Sequence, residues 1–192
     1  MNHHWLFFKR WLTHPLQMGS IVPTSVTASR LLAHQVQHVQ AGHIIEAGAG
    51  TGVVSQALLD AGVAPERLTL LEIDPELAQV LARRFPGVEV VHGDALDLAS
   101  NIRPELHGAI GQIICGIPLL LLPFGAQRRF VDSVEQVAPG QGFLQLSYQI
   151  TSPLPAERLG LQASRVGWTW RNIPPAHVWR YQPAQRASLT TS

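Results

Sequence analysis

A glycine-rich turn after a short apolar run constrains the fold of this chain more than any other feature. The chain reads Ile44-Ile45-Glu46-Ala47-Gly48-Ala49-Gly50-Thr51-Gly52, and a helical pattern over Thr51–Ala61 follows. Glycines let the backbone turn sharply and let a ligand approach without a Cβ in the way. A strand, a glycine turn and a helix in this order are typical of sites that bind a nucleotide cofactor at a strand end.

The spacing of the glycines separates this turn from the dinucleotide fingerprint. That fingerprint, G-x-G-x-x-G, requires glycine at position 53, where the chain has Val53. The glycines instead follow G-x-G-x-G, and Glu46 precedes the first of them by two residues. Because this form lacks the seat that the fingerprint provides for a pyrophosphate, the spacing argues against a dinucleotide.

Acidic residues follow the next two apolar runs. Glu72 ends the second run, and Asp94 follows the third within Gly93-Asp94-Ala95. A carboxylate at the first position can accept hydrogen bonds from both hydroxyls of a ribose, and Asp94 can accept one from an adenine amino group. A glycine loop alone is often only a turn, and Glu72 alone could be a solvated charge. Together, in this order, they predict a ligand that carries adenosine.

Short apolar runs alternate with helical patterns through the middle of the chain. The runs are His43–Ala47, Leu68–Ile73, Val88–His92, Gln112–Gly116 and Gly142–Tyr148, and further helical patterns cover Pro75–Phe85 and Phe124–Val137. Strands that alternate with helices form βαβ units and a mostly parallel sheet. The runs are apolar almost throughout, as in strands covered on both faces. Ser164–Trp170 and His177–Tyr181 predict two more strands, which could form an antiparallel edge.

Composition restricts the class of protein. The 192 residues fit one domain, and 14% charged with 46% apolar residues excludes an ordinary disordered chain. A net charge of +1 argues against a general nucleic-acid binder. The single cysteine, Cys115, excludes a disulfide framework and a zinc finger, and it fits a reducing cytosol. The uncharged window from position 107 to 127 contains several glycines and prolines, so we expect a buried strand and a turn there rather than a membrane span.

Two helical patterns precede the first strand. Val22–Val39 has Pro23 near its start and apolar residues at helical spacing. Asn2–Thr13 predicts a short amphipathic helix with Lys9 and Arg10 on its polar side. Its apolar face carries Trp5, Phe7, Phe8, Trp11 and Leu12. This helix either lies on a membrane surface with anionic head groups or packs on the domain as a lid.

The expected organisation has three parts. Residues 1–40 hold the amphipathic and lid helices, residues 41–183 form the cofactor-binding domain, and residues 184–192 form a flexible tail. The predicted fold class is α/β, with a mostly parallel twisted sheet of about seven strands and helices on both faces.

The motifs resemble those of known methyltransferases. The cofactor motifs, within Ala41–Ala95, resemble class I methyltransferases, which have a Rossmann-like fold and bind S-adenosylmethionine. Further motifs, between about Lys9 and Pro183, resemble the bacterial phospholipid N-methyltransferases. These are Met18-Gly19-Ser20-Ile21-Val22-Pro23-Thr24-Ser25, Gly116-Ile117-Pro118-Leu119, Tyr148-Gln149-Ile150-Thr151-Ser152-Pro153, Asn172-Ile173-Pro174-Pro175-Ala176 and Trp179-Arg180-Tyr181.

The resemblance implies a reaction and a cofactor site. The reaction is stepwise N-methylation of phosphatidylethanolamine toward phosphatidylcholine, with S-adenosylhomocysteine as the spent cofactor. The residues expected to hold the cofactor are Glu46, Gly48, Gly50, Thr51, Gly52, Glu72, Ile73, Asp94, Ala95 and Gly116.

The resemblance leaves the substrate open. A related group methylates ornithine lipids, and the same superfamily includes ribosomal RNA adenine dimethyltransferases. The latter carry an Asn-containing tetrapeptide that ends in an aromatic residue after strand four. Here that position reads Gly116-Ile117-Pro118-Leu119, which would leave an adenine base without a hydrogen-bond acceptor and a stacking partner. Methylation of RNA or a soluble amine, and a non-catalytic cofactor-binding domain, remain alternatives.

Methyl transfer to an amine requires alignment and an unprotonated nitrogen. The enzyme must hold two atoms in line, and a free amine is mostly protonated at neutral pH. A poorly hydrated pocket that accepts hydrogen bonds from the amine would favour its neutral form. The backbone carbonyls of Gly116 and Ile117, exposed because Pro118 cannot continue the strand, are candidate acceptors. Tyr148 either orients the amine or is an ordinary strand-end aromatic residue.

The lipid phosphate needs a partner as well. Gly19, Ser20, Thr24 and Ser25 lie before or at a helix N-terminus, where free N–H groups bind anions, and Arg180 could add a charge. The alternatives are helix capping and a surface charge. Trp168, Trp170, Trp179 and Tyr181 either build the sheet edge or contact the methylated products through their ring faces.

The expected location follows from these residues. We expect a cytoplasmic protein that associates peripherally with the inner face of the membrane. Its expected partners are an anionic membrane surface, through residues 2–13, and a phospholipid substrate. We expect no nucleic-acid partner and no metal, and the sequence predicts no oligomeric state.

Overall fold

The computed structural model describes residues 25–39, 41–171 and 174–184. The helix expected over Asn2–Thr13, the anion-site residues Gly19, Ser20 and Thr24, and nearly all of the expected tail lie outside the described residues. The helices are α1 (Val26–Val36), α2 (Val53–Asp60), α3 (Pro75–Arg84), α4 (Leu98–Asn101) and α5 (Phe124–Val137). The strands are β1 (His43–Ala47), β2 (Leu68–Glu72), β3 (Glu89–His92), β4 (Ile110–Cys115), β5 (Phe143–Ser147), β6 (Leu161–Thr169) and β7 (Ala176–Pro183).

The strands form one seven-stranded sheet in the order β3-β2-β1-β4-β5-β7-β6. The first five strands in this order are parallel to one another, whereas β7 is antiparallel to both β5 and β6. The sequence-based prediction of a mostly parallel sheet with an antiparallel edge is therefore confirmed. The chain moves outward from β1 in both directions, so the strand order reverses between β1 and β4.

Each face of the sheet is covered by helices, as predicted. Helices α1, α2 and α3 cover one face, where Leu32, Leu58 and Leu81 pack with the inner residues of the strands. Helices α4 and α5 cover the other face, with Leu98 and Phe130 in its core. Two apolar cores on a shared sheet explain why β1 and β2 are buried along their whole length.

Local signals fix where the helices start. The hydroxyl of Ser25 accepts a hydrogen bond from the N–H of Ala28 at 3.1 Å, which caps α1. The carboxylate of Asp74 accepts from the N–H groups of Glu76 and Leu77, and Pro75 occupies the first position of α3. Helix α1 ends at Val36, three residues before the predicted end.

Two predictions about strands need correction. The edge strand β3 is only half-buried, because it has a neighbour on one side only, so its run is not covered on both faces. Strands β6 and β7 are longer than predicted, since backbone pairing continues from Leu161 opposite Pro183 through the polar pair Gln162 and Gln182. The extension thus combines backbone pairing with the side chain of Leu161, which is buried in the core.

The uncharged window from position 107 to 127 contains β4, a turn and the start of α5. This arrangement confirms the buried strand expected there. Within the described ranges, no helix has the length and apolar character to cross a membrane.

Candidate functional site

The glycine turn lies at the edge of the sheet where the strand order reverses. Its first two N–H groups, from Gly48 and Ala49, both donate to the carbonyl oxygen of Leu71, at 2.8 and 3.1 Å. The N–H of Gly116, just after β4, donates to the carbonyl of Ala47 at 2.8 Å. The ends of β1, β2 and β4 are thereby held together around one crevice. Open α/β sheets bind ligands at this kind of reversal.

The glycines of the turn and the glycine after β4 lie in different surroundings. Gly48 has a φ of +88°, and a Cβ there would lie 2.6 Å from Cγ2 of Ile117. A Cβ on Gly116 would collide with the carbonyl oxygen of Gly48. Gly50, with a φ of +55°, has no heavy atom within 4 Å of the corresponding point. Contacts with neighbouring strands fill the base of the turn, while its tip at Gly50 is open.

Glu72 braces this open tip. One carboxylate oxygen accepts the N–H of Gly50 at 2.7 Å, and the other accepts the N–H of Asp74 at 2.9 Å. Burial raises the pKa of Glu72, while the N–H bonds from Asp74 and Gly50 lower it. Each carboxylate oxygen has a second lone pair. The residue predicted to bind the ribose therefore also shapes the loop, and its contact with a ribose remains a prediction.

Glu46 lies beneath the turn and is buried. Its Oε2 accepts a 2.6 Å hydrogen bond from the hydroxyl of Ser55 on α2. Burial raises the pKa of Glu46 to about 8, and the nearby charge of Glu72 adds to this rise. The group is therefore mostly protonated at neutral pH. Glu46 joins the end of β1 to α2, and its direct contact with a cofactor remains a prediction.

The third predicted acid lies at the same edge of the sheet. Asp94 follows β3, and its Oδ1 accepts the N–H of Leu96 at 2.9 Å, which starts a short helical turn. Ala95 is buried beside it, and Ile73 is half-buried after β2. Thr51 is exposed at the start of α2, where its carbonyl accepts from Arg84 at 2.9 Å. The structure thus brings the predicted cofactor residues to one edge.

One predicted amine acceptor is wrong. The carbonyl of Ile117 accepts hydrogen bonds from the N–H of Leu119 at 2.8 Å and the side-chain amide of Gln145 at 3.3 Å, with the Cys115 thiol at 3.6 Å. The chain turns back immediately after Pro118, so this carbonyl points into the protein. Gly116 is exposed, and its carbonyl remains the candidate acceptor.

The other predicted substrate residues have separate positions. Tyr148 is half-buried directly after β5, beside the turn that follows β4. Arg180 is half-buried in β7, opposite Leu144 and Ser164. Ser25 caps α1. The contacts of Tyr148, Arg180 and Ser25 with substrate remain predictions.

The four aromatic residues near the chain end divide into two pairs. Tyr181 is fully buried and stacks on Phe143 with ring centroids 4.9 Å apart, and Trp179 is buried in the same core. These two residues build the sheet and cannot contact a product. Trp168 and Trp170 are exposed.

Sequence reasoning missed Ser55 and Gln145, whose side chains brace Glu46 and the turn after β4. Each is a polar residue within an otherwise apolar pattern. That signal marks a buried hydrogen bond without naming its partner.

Comparisons with known proteins agree with this geometry. The sequence model of the family described as ribosomal RNA adenine dimethylase matches residues 12–108, about half of the chain. An ornithine lipid N-methyltransferase from Singulisphaera acidiphila is 29% identical over 151 residues, which cover 77% of this chain and 79% of that protein.

Two further proteins are similar over different extents. The mycinamicin-resistance protein MyrB from Micromonospora griseorubida is 41% identical over 84 residues, which are 43% of this chain and 25% of that protein. The crystal structure of a 1,6-didemethyltoxoflavin-N1-methyltransferase from Burkholderia thailandensis superposes with a TM-score of 0.63. It is 14% identical, and the match covers 93% of this chain and 86% of that one. The fold is the Rossmann-like class I methyltransferase fold.

Proposed function

The chain belongs to the ribosomal RNA adenine dimethylase family, and from that premise we propose that it methylates the amine of a lipid head group. It is an S-adenosylmethionine-dependent methyltransferase. When bound, this cofactor supplies a methyl group on a positively charged sulfur. Glu72, Asp94 and the open tip at Gly50 are the groups that would hold it, because they lie at one edge around free space.

The residues that follow β4 favour a lipid amine over an adenine base as the methyl acceptor. After β4, Gly116 has no side chain, Ile117 and Leu119 are buried, and Pro118 offers no N–H. An adenine base flipped into a site requires hydrogen bonds to its edge and a stacking partner. These side chains supply neither, whereas a small primary amine needs only an acceptor such as the carbonyl of Gly116.

The similarity to an ornithine lipid N-methyltransferase supports the same substrate class, because it extends over most of both proteins. The head group we propose is phosphatidylethanolamine, methylated stepwise toward phosphatidylcholine, with an ornithine lipid as the alternative. Both present an amine beside a negatively charged group. The family match favours a second candidate, the methylation of adenine in ribosomal RNA.

The protein's own groups handle the amine. Methyl transfer requires the amine to be held in line with the methyl donor. A poorly hydrated pocket that accepts hydrogen bonds from the amine favours its neutral form. The carbonyl of Gly116 accepts from the amine, and Tyr148 orients it. If Tyr148 has this role, Tyr148→Phe lowers turnover at one or more methylation steps, whereas unchanged rates at every step would remove it.

Access to a lipid requires contact with a membrane surface. In this proposal, residues 2–13 place the aromatic side chains of Trp5, Phe8 and Trp11 at the interface and direct Lys9 and Arg10 to anionic head groups. The protein then works at the cytoplasmic face of the membrane.

Methyl-labelled S-adenosylmethionine tests the proposal. The protein is incubated with it in three reactions, which contain phosphatidylethanolamine vesicles, ornithine lipid vesicles or ribosomal RNA transcripts. The proposal predicts label in a lipid fraction and none in RNA. Label in RNA alone would overturn it and establish the second candidate.

A further inference from the structure

A pocket of about 280 Å³ opens on the same edge of the sheet, beyond the end of β5. It lies between the segment after β5 and the hairpin of β6 and β7. Its lining residues are Ile150, Arg165, Trp168, Trp170, Pro175 and His177. His177 lies directly opposite Ser147 of β5 and Trp168 of β6, so these side chains share one face of the sheet.

His177 is the buried polar side chain of this pocket. Only 5% of its surface is exposed, and neither ring nitrogen has a hydrogen-bond partner within the described part of the chain. Burial lowers the pKa of His177, and the positive charge of Arg165 lowers it further. The neutral ring offers one N–H donor and one acceptor. Neighbouring atoms cover both nitrogens in this structure, so a rotation of the ring toward the pocket would give this unpaired group a ligand as its partner.

Arg165 supplies the charge of the pocket. Its side chain is exposed, and the structure gives it no ion pair among residues 25–39, 41–171 and 174–184. No acidic residue lines the pocket. A guanidinium beside an N–H donor suits a phosphate or carboxylate, which accept charge-assisted hydrogen bonds.

The rim of the pocket is apolar and exposed. Trp168 is 51% exposed, Trp170 is 70% exposed, and Ile150 is 71% exposed. The two indole rings meet edge to face with centroids 5.3 Å apart. Large exposed apolar side chains around a pocket mark a surface that contacts a partner or ligand. Methylene chains leaving an anionic group would lie against these side chains.

We propose that this pocket binds the anionic group of the acceptor, a phosphodiester or a carboxylate, between Arg165 and His177, with its apolar chains along Trp168, Trp170 and Ile150. The identity of the acceptor rests on the function proposed above. The pocket lies beyond the end of β5, and β5 pairs with β4, so an acceptor anchored here has its amine near the ends of these two strands. The site thereby selects amines that carry a negative charge and an apolar tail.

Calorimetric titration of the full chain with short-chain probes tests this site. The probes are dihexanoyl phosphatidylglycerol for the phosphodiester, N-hexanoylornithine for the carboxylate, and dihexanoylglycerol as the uncharged analogue. The variant is Arg165→Gln. Its matched control is Arg83→Gln, which removes the same charge from an exposed position on α3, near the opposite edge of the sheet.

The proposal predicts that Arg165→Gln weakens binding of the preferred anionic probe about tenfold or more, while Arg83→Gln leaves it unchanged. The tighter of the two anionic probes identifies the source of the negative charge. Equal binding to wild type and Arg165→Gln, equal losses in both variants, or equally tight binding of dihexanoylglycerol would overturn it. Binding of S-adenosylhomocysteine by each variant verifies that it is folded.

The same variants separate this inference from the proposed function. Lipid methylation with an unchanged KM in Arg165→Gln would remove the anion site and leave the function standing. Saturable, Arg165-dependent binding of an anionic probe without lipid methylation would remove the function and leave the site.

Discussion

Single carboxyl groups at the strand ends both shape the cofactor crevice and present acceptors to it. Glu72 accepts from the N–H of Gly50 in the glycine turn and from the N–H of Asp74 after β2, and Glu46 accepts from the hydroxyl of Ser55. Sequence spacing identified both acids as members of one site. It could not identify their partners, because these hydrogen bonds depend on how β1, β2 and α2 pack.

Glu72→Gln tests the acid at the end of β2. The amide replaces one acceptor oxygen with a donor, so a backbone N–H and a cofactor hydroxyl both lose an acceptor. We expect the Kd of S-adenosylhomocysteine to rise about tenfold or more, which corresponds to about 1.4 kcal/mol. We expect stability to change less, because the amide also removes the cost of burying a charge. Calorimetry measures both quantities.

Glu76→Gln is the control for this substitution, because Glu76 is exposed in the first turn of α3, four residues away. The affinity of the Glu76→Gln variant for S-adenosylhomocysteine should equal that of wild type. Equal affinities for Glu72→Gln and wild type would contradict the role of Glu72.

Glu46 makes stability depend on pH. Its pKa of about 8 in the folded protein exceeds the ordinary value of 4.5, so the folded state binds more protons between these values. The contribution of Glu46 to stability is therefore full below about pH 4.5 and falls as pH rises toward 8, by up to about 1.4 kcal/mol per pH unit. Glu46→Gln, which imitates the protonated acid, should remove this fall.

Urea unfolding of both proteins between about pH 5 and pH 8 measures the difference. The free energy of unfolding of wild type, relative to that of Glu46→Gln, should decrease with rising pH. The exposed-site control Glu66→Gln should show the same pH dependence as wild type. A constant difference between wild type and Glu46→Gln would show that Glu46 titrates normally.

At the scale of elements, the crevice depends on how closely the end of β4 approaches the glycine turn. Gly116 contacts the backbone of Gly48 without a side chain between them, and its N–H bonds Ala47. A larger residue at this position would separate β1 from β4 at the point where the strand order reverses.

Gly116→Ala tests this approach. The added Cβ collides with the carbonyl of Gly48, and overpacking of this kind lowers the free energy of unfolding by about 1–3 kcal/mol. The affinity for S-adenosylhomocysteine should fall as well. Gly125→Ala is the matched control, since its Cβ meets no atom within 4 Å and the position lies in the first turn of α5, so no loss of stability is expected. Similar losses in both variants would contradict this explanation.

Elements with a strong apolar pattern were predictable, whereas those formed by backbone pairing or edge position were not. The predicted helix Phe124–Val137 matches α5 at both ends, because its apolar residues repeat at helical spacing against one core. Strand β6 begins before its predicted start, since backbone pairing continues through the polar pair Gln162 and Gln182, which no apolar pattern marks. The inward turn of the Ile117 carbonyl and the unpaired ring of His177 depend on neighbours distant in sequence.

At the scale of the whole molecule, the parallel half of the sheet carries the cofactor crevice, and the antiparallel half carries the pocket at His177. Both open on the same edge, with the ends of β4 and β5 between them. In the proposed function, the donor and the acceptor reach the ends of β4 and β5 from these two halves of the sheet.

Contact with the membrane is tested by deleting residues 2–13. In our account this segment supplies the aromatic and cationic side chains that bind a lipid surface. The truncated protein should no longer sediment with anionic vesicles, while it still binds S-adenosylhomocysteine in calorimetry. Full vesicle retention by the truncated protein would contradict this assignment.

Hydrogen–deuterium exchange with and without S-adenosylhomocysteine locates the cofactor on the chain. If the cofactor binds in the crevice at the glycine turn, exchange becomes slower from Ala47 to Val53 and in the segments that follow β2, β3 and β4. Exchange in the β6–β7 hairpin should not change. Unchanged exchange in the glycine turn, or protection confined to the hairpin, would show that the cofactor does not bind there.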